Sequence, residues 1–308
     1  VTSAALEALR GAGKAGLARA LSRIESAPDA PETVALLDAA FAAPRGVTLG
    51  FTGPPGVGKS TLVNALVPRV RGAGHTLGII AVDPSSRRSG GALLGDRTRM
   101  THDPEDQGVF MRSMAARDRL GGVAEVTFPA MVLMRALFDI VIVETVGVGQ
   151  SETEISELAD LTILCSQPGA GDALQFMKAG IMETPDLVLV TKGDTGAPAR
   201  RTASDLAGAL SLAARQTGIP APGVVIVSAN DGSGLDRVLG TVLELAPGVN
   251  DGRREQAANM WLRSQIRTDW GRFGLELLGQ DLRCPKMAPF SARSGLSARL
   301  WTRLQPSR

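Results

Sequence analysis

Eight consecutive residues, Gly53-Pro54-Pro55-Gly56-Val57-Gly58-Lys59-Ser60, have the types and spacing of a phosphate-binding loop. Glycines let backbone N–H groups approach phosphate oxygens, a lysine reaches the outer phosphates, and a hydroxyl can ligate Mg²⁺. The expected nucleotide contacts are Gly53, Pro54, Gly56, Val57, Gly58, Lys59, Ser60 and the adjoining Thr61. A ligand-free Gly-rich turn is the competing reading. The complete motif, placed after an apolar run and before a helical stretch, weighs against it.

Further along, Ile140-Val141-Ile142-Val143 ends in Glu144. A carboxylate at the carboxyl end of an apolar strand can hold the Mg²⁺ shell opposite a phosphate loop. Gly147, three residues on, can present its N–H to the terminal phosphate. Asp83 closes a second apolar run, and Asp96 lies in a Gly-rich loop where a solvated surface acid is a fair alternative. Thr191-Lys192-Gly193-Asp194 has the guanine-reading pattern, with Thr in place of the usual Asn. Asp194 can accept from both guanine N–H groups, which adenine does not offer. Lys192 would lie along the base plane, and Ser228-Ala229 suits a backbone N–H to the guanine carbonyl oxygen. GTP is therefore preferred over ATP. Val148 stands where a water-positioning Gln would be expected, so slow intrinsic hydrolysis, accelerated by a partner, is predicted.

These residues need a scaffold that brings strand ends together. Short β-branched runs at 47–52, 77–82, 108–111, 140–143, 161–165, 187–191 and 224–227 alternate with helical stretches at 59–71, 126–137 and 203–216. Near-continuous apolar runs between helices predict an α/β fold with a mostly parallel, doubly wound sheet. Before it, Leu17, Leu21 and Ile24, then Val34, Leu37 and Phe41, fall at helical spacing. After Pro247-Gly248 the strand signal stops. Residues 254–278 read as a helix, and 297–304 as a short one. The expected organisation is a helical extension at 1–45, a nucleotide-binding domain at 46–247, and a helical, basic arm at 248–308.

The net charge of +2 over 308 residues conceals a split. Residues 253–308 carry +7 and all three Trp, leaving −5 for residues 1–252. Buried Trp packing and an interface anchored by aromatics among arginines both fit that arm. No recognised nucleic-acid module accompanies the basic charge. The longest run without Asp, Glu, Lys or Arg is residues 216–230 and contains two prolines, so no transmembrane helix is expected. The early Glu7, the absence of an apolar signal core and only two cysteines lead to a cytoplasmic expectation. Two histidines make a His/Cys structural zinc site a poor expectation.

Several strings carry a resemblance: GPPGVGKS at 53–60, Asp83-Pro84-Ser85-Ser86, Gly95-Asp96-Arg97-Thr98-Arg99-Met100, ETVGVGQSE at 144–152, and Gly180-Ile181-Met182-Glu183. Together they resemble the methylmalonyl-CoA mutase-associated GTPases, the MeaB/ArgK type, over about residues 13 to 262. The resemblance implies a P-loop GTPase fold and a GTP-hydrolysing chaperone of an adenosylcobalamin-dependent acyl-CoA mutase. Such proteins gate cofactor loading and help remove damaged cofactor. It implies Mg²⁺ with bound GTP or GDP, a homodimer, and a cobalamin adenosyltransferase as a further partner. Carried over by position, Ser60, Asp83, Asp96 and Glu144 serve the metal and switch region, with Lys59 and Gly147 beside them in catalysis. Asp172, Gln175 and Lys178 match the polar positions of a loop that couples nucleotide state to the mutase. Thr191, the Arg87-Arg88 pair and the tail after Leu278 depart from the family pattern.

Other classes remain open at this point. A GTPase that inserts a metal into a metalloenzyme would carry a His-rich tract or paired cysteines, and neither is present. A transport-associated nucleotidase or kinase fits less well, since no membrane anchor is seen. A non-catalytic nucleotide sensor would not need Lys59, Ser60 and Glu144 intact. The mutase itself stays unnamed: methylmalonyl-, isobutyryl- and 2-hydroxyisobutyryl-CoA types all fit.

Overall fold

A computed structural model describes residues 2–84, 103, 105–116, 124–145, 150–169, 185–279, 282 and 288–304. Seven strands form one sheet: β1 Val47–Thr52, β2 Leu77–Pro84, β3 Val109–Ala116, β4 Ile140–Thr145, β5 Leu161–Ser166, β6 Leu187–Val190 and β7 Gly223–Ile226. Their order is β3-β2-β4-β1-β5-β6-β7, and every neighbouring pair is parallel. The expected parallel, doubly wound sheet is therefore the observed one.

Alternation along the strands explains why they read as unbroken apolar runs. In β4, Ile140 and Ile142 pack to one face, while Val141 and Val143 pack to the other. Helices cover both sides, so positions 140–143 have no reason to be polar. On the first face lie α4 (Lys59–Gly72) and α8 (Leu235–Leu245), through Leu62, Val63, Leu66, Val238 and Val242. On the second lie α5 (Ala124–Arg135) and α6 (Gln150–Leu158). Helix α7 (Ala197–Thr217) covers the β6 end with Ala199, Leu206 and Leu210.

The helices at both ends of the chain join the second face. α1 (Thr2–Gly11), α2 (Gly13–Ser26) and α3 (Pro31–Ala42) share one core with α5, with α9 (Asp251–Leu278) and with α10 (Pro289–Leu304). α10 packs on α3 and α9, and α9 packs on α5 and α6. The final helix is thus longer than the 297–304 expected from sequence. Pro289 starts it rather than ending anything, because its missing N–H lies at an end where that donor would have no helical partner. α9 bends at Gly271, whose φ of 65° and ψ of −164° leave the helical region. The three Trp divide by role. Trp261 is buried beside Phe128 and Phe290, at ring-centroid distances of 5.4 and 4.8 Å, whereas Trp301 is 63% exposed and meets Trp270 edge-on at 5.3 Å. Among the described residues, no helix is long and apolar enough to cross a membrane.

One buried charge cluster ties the C-terminal arm to the sheet. Asp160, just before β5, accepts from Arg135 Nη1 at 3.1 Å and from Arg254 Nε at 2.9 Å. Its other oxygen accepts the Thr48 N–H at 2.9 Å, and the Thr48 hydroxyl takes the Asp160 N–H at 2.8 Å. Burial pushes the Asp160 carboxyl up, but Arg135, Arg254 and the Thr48 N–H hold it below the usual carboxylate range. A carboxyl depressed in the folded state stabilises above its unfolded pKa, and that contribution is lost as pH falls through the folded value. Asp160→Asn leaves the buried Arg135 guanidinium and the part-buried Arg254 guanidinium without their anion. The expected loss is roughly 3–5 kcal/mol, read from the urea midpoint. A midpoint unchanged at neutral pH would remove the cluster from any role in stability.

Candidate functional site

The carboxyl ends of β1, β4, β5 and β6 converge, and the loops leaving them build the site. β1 runs into the Gly53–Gly58 segment, which opens α4 at Lys59. Gly58 caps that helix at φ 99°, a left-handed conformation that L side chains rarely adopt. Gly53 is required for a second reason: a Cβ there would lie 2.3 Å from the Cys165 carbonyl oxygen of β5. The loop is therefore pressed against the sheet, and the first-turn N–H groups of α4 face the space above it. Those donors and the helix dipole favour an anion.

Lys59 is only 5% exposed, and its ammonium donates to the Gly53 carbonyl at 2.6 Å and to the Pro54 carbonyl at 3.1 Å. The cation is thus folded back over its own loop, where the outer phosphates would lie. The Ser60 hydroxyl donates to Glu144 Oε1 across the gap between α4 and β4. β1 and β4 are paired in register, with Phe51 opposite Glu144, which sets that carboxylate beside the loop. A hydroxyl and a carboxylate oxygen in contact, next to a phosphate cradle, fit the hard-oxygen shell of Mg²⁺ directly or through water. The neighbouring Cys165 takes no part, since burial pushes its thiol up to about 12.

The base side is assembled from β6 and β7. Lys192 holds φ 54° as the chain turns into a 3₁₀ turn, Gly193–Thr195; it is the one non-glycine residue with positive φ among the described residues. Gly193 donates to the Val227 carbonyl at 3.0 Å, and a Cβ at 193 would crowd Ile226. Asp194 then faces the 228–230 segment. The Ser228 hydroxyl donates to its Oδ1 at 2.9 Å, and Asn230 Nδ2 donates to its Oδ2 at 3.0 Å. These hydrogen bonds, Asn230 first and then Ser228, hold the Asp194 carboxyl below the usual range. Each oxygen keeps a further lone pair for an incoming N–H. A cavity of about 260 Å³ lies on the base side and reaches the end of the phosphate loop, lined by Gly58, Thr61, Thr191, Asp194, Ala229 and Asn230.

The structure thus brings together Lys59, Ser60 and Glu144 on the phosphate side, and Lys192, Asp194, Ser228 and Ala229 on the base side. Within the Ser228-Ala229 pair, the Ser228 hydroxyl orients Asp194 while its backbone N–H is taken by the Ser233 carbonyl at 2.9 Å. Ala229 lines the cavity beside Asp194. Lys192 reaches Gln167 Oε1 and, at 3.3 Å, the Gly56 carbonyl. Gln167 and Asn230 were not legible as site residues: each is a polar residue in a short turn, with nothing in its own segment to mark it. Asp83 closes β2, but its side chain lies outside the described residues, as do Asp96, Gly147, Asp172, Gln175 and Lys178. Among the described residues there is no group of three or more His, Cys, Asp or Glu that could hold a metal ion.

A family model described as "Methylmalonyl Co-A mutase-associated GTPase MeaB" matches residues 17–270. The chain is 39% identical over 227 residues to the mouse protein named "Methylmalonic aciduria type A homolog, mitochondrial", covering 71% of this chain and 55% of that one. It is 35% identical to the Escherichia coli GTPase ArgK, covering 85% and 82%. A putative GTPase of Caulobacter vibrioides is 37% identical, with 82% and 81% covered. The matches to the mouse protein and to a Pyrococcus abyssi putative GTPase span about half of those relatives, 55% and 45%. Among solved structures, one titled as a LAO/AO transport system kinase superposes with a TM-score of 0.65 at 26% identity, over 97% of each chain.

Proposed function

The chain belongs to the methylmalonyl-CoA mutase-associated GTPase MeaB family, and from that membership and the geometry above we propose that it binds and hydrolyses GTP as the chaperone of an adenosylcobalamin-dependent acyl-CoA mutase. The observation that carries the nucleotide part is a base-side cavity, holding a doubly anchored carboxylate, that opens beside the end of the phosphate loop. The Ser60–Glu144 contact supplies the metal shell, Lys59 turns from its own loop carbonyls to the outer phosphates, and Asp194 selects guanine. The mutase part rests on the family, whose members are associated with that enzyme by name.

In this reading the terminal phosphate engages the segments that follow β2 and β4 and carry Asp96 and Gly147, and hydrolysis ends that contact. Asp172, Gln175 and Lys178 relay that difference to the mutase. Residues 248–308 form the arm of a homodimer, and a cobalamin adenosyltransferase supplies the cofactor that the chaperone gates. The protein acts in the cytoplasm. The test is GTP turnover with Mg²⁺, with and without purified acyl-CoA mutases of the three types. Alone, turnover is expected well below the ~10 s⁻¹ typical of enzymes, rising when the right mutase is added. Fast turnover without a partner, or no response to any of the three mutases, would count against the chaperone role.

A further inference from the structure

The Thr at the head of the base-reading motif has a defined task in this chain. Thr191 is 4% exposed, and its hydroxyl lies 2.7 Å from the Val57 carbonyl oxygen and 3.0 Å from the Ser166 carbonyl oxygen. Both neighbours are pure acceptors, and a hydroxyl has a single proton. That proton is therefore held between the phosphate loop and the end of β5. The next residue acts in the same direction, because Lys192 reaches the Gly56 carbonyl at 3.3 Å. Two consecutive base-side residues thus tie down two consecutive carbonyls of the phosphate loop.

The chemistry of guanine turns this into a statement about specificity. Its N7 offers only a lone pair, so it must be met by a donor. A Thr hydroxyl whose one proton lies between two carbonyls has none to give, and Thr carries no second donor. An amide in its place would have two N–H donors, one for the loop and one to spare. We propose that Thr191 is a positioning residue that latches the phosphate loop to the base loop, and that the N7 edge of the purine goes unread, leaving selection to Asp194 on the N1 and N2 edge.

The proposal rests on the guanine-nucleotide reading and can fail separately from it. Affinities of the full chain for GDP, 7-deaza-GDP, IDP and ADP are measured by calorimetry. 7-Deaza-GDP is expected within about 2-fold of GDP, and IDP, which lacks the 2-amino donor, weaker by about 10-fold or more, as expected for one lost hydrogen bond to a charged group. Thr191→Val is expected to weaken GDP and 7-deaza-GDP by the same factor, about 10-fold, as for a buried hydrogen bond lost with the Val57 carbonyl left unpaired, while the Ser166 carbonyl keeps the residue's backbone N–H at 2.8 Å. Thr191→Ser, which keeps the hydroxyl, restores most of it. A penalty of about 10-fold or more for 7-deaza-GDP would show that N7 is read and overturn the proposal alone. Unchanged affinities in Thr191→Val would equally remove the latch. GDP bound no tighter than ADP would sink the guanine reading and this proposal together.

Discussion

Lys59→Ala is expected to lower kcat/KM for GTP by at least about 100-fold while the protein stays folded, the scale seen when one preorganised donor to a developing charge is removed. Three features set that size. The ammonium is buried at 5% exposure, so its charge acts in a medium that screens it poorly. It stands at the mouth of the loop, bonded to the Gly53 and Pro54 carbonyls, and rotates from there to the outer phosphates without backbone movement. Negative charge builds on those phosphates in the transition state, so the loss falls on the rate as well as on binding. Removing two hydrogen bonds to loop carbonyls costs stability on the order of 1 kcal/mol, small beside the core of β1, β4 and α4. Turnover and a thermal melt on the same preparation separate the two effects. Wild-type turnover in the variant would place hydrolysis elsewhere.

The phosphate side was legible from sequence because its chemistry is written in eight adjacent residues, and adjacency survives folding. The strands were legible because two covered faces leave them mostly apolar, as Ile140 to Val143 show. Helix α8 carries an equally plain signal, with Leu235, Val238, Leu239 and Val242 on one face, yet it was not among the expected elements. What sequence could not show is pairing over distance. Asp160 meets Arg135, 25 residues away, and Arg254, 94 residues away, and nothing near any of the three announces the others. Thr191 is the same case in the site. Its type looked like a defect in a motif, and only the approach of Val57, 134 residues earlier, shows what the hydroxyl holds.

Asp194→Asn is expected to exchange base preference from guanine to xanthine. The carboxylate presents two acceptor oxygens, each fixed from behind, one by Ser228 and one by Asn230. Guanine's N1–H and 2-amino group can meet both at once. An amide keeps one acceptor and turns the other position into a donor, which then faces the 2-amino group with no partner for either. Sites built around a hydrogen bond reject a mismatched partner by up to ~10⁴–10⁵-fold. Asp194 borders an open cavity, so a fall of about 10²–10⁴ in GTP affinity is expected, because water can still reach part of the mismatch. Xanthine carries a carbonyl where guanine carries the amine, so XTP gains what GTP loses. The same anchoring sets a pH dependence. Because its hydrogen bonds hold the Asp194 carboxyl low, the guanine preference persists below the usual carboxylate range and fails only as pH drops through that lowered value. Competition of GTP against XTP for the wild type and the variant, at neutral and acidic pH, reads both effects. An unchanged GTP-to-XTP ratio in Asp194→Asn would mean that another group reads the base, and that the carboxylate only braces the 228–230 turn.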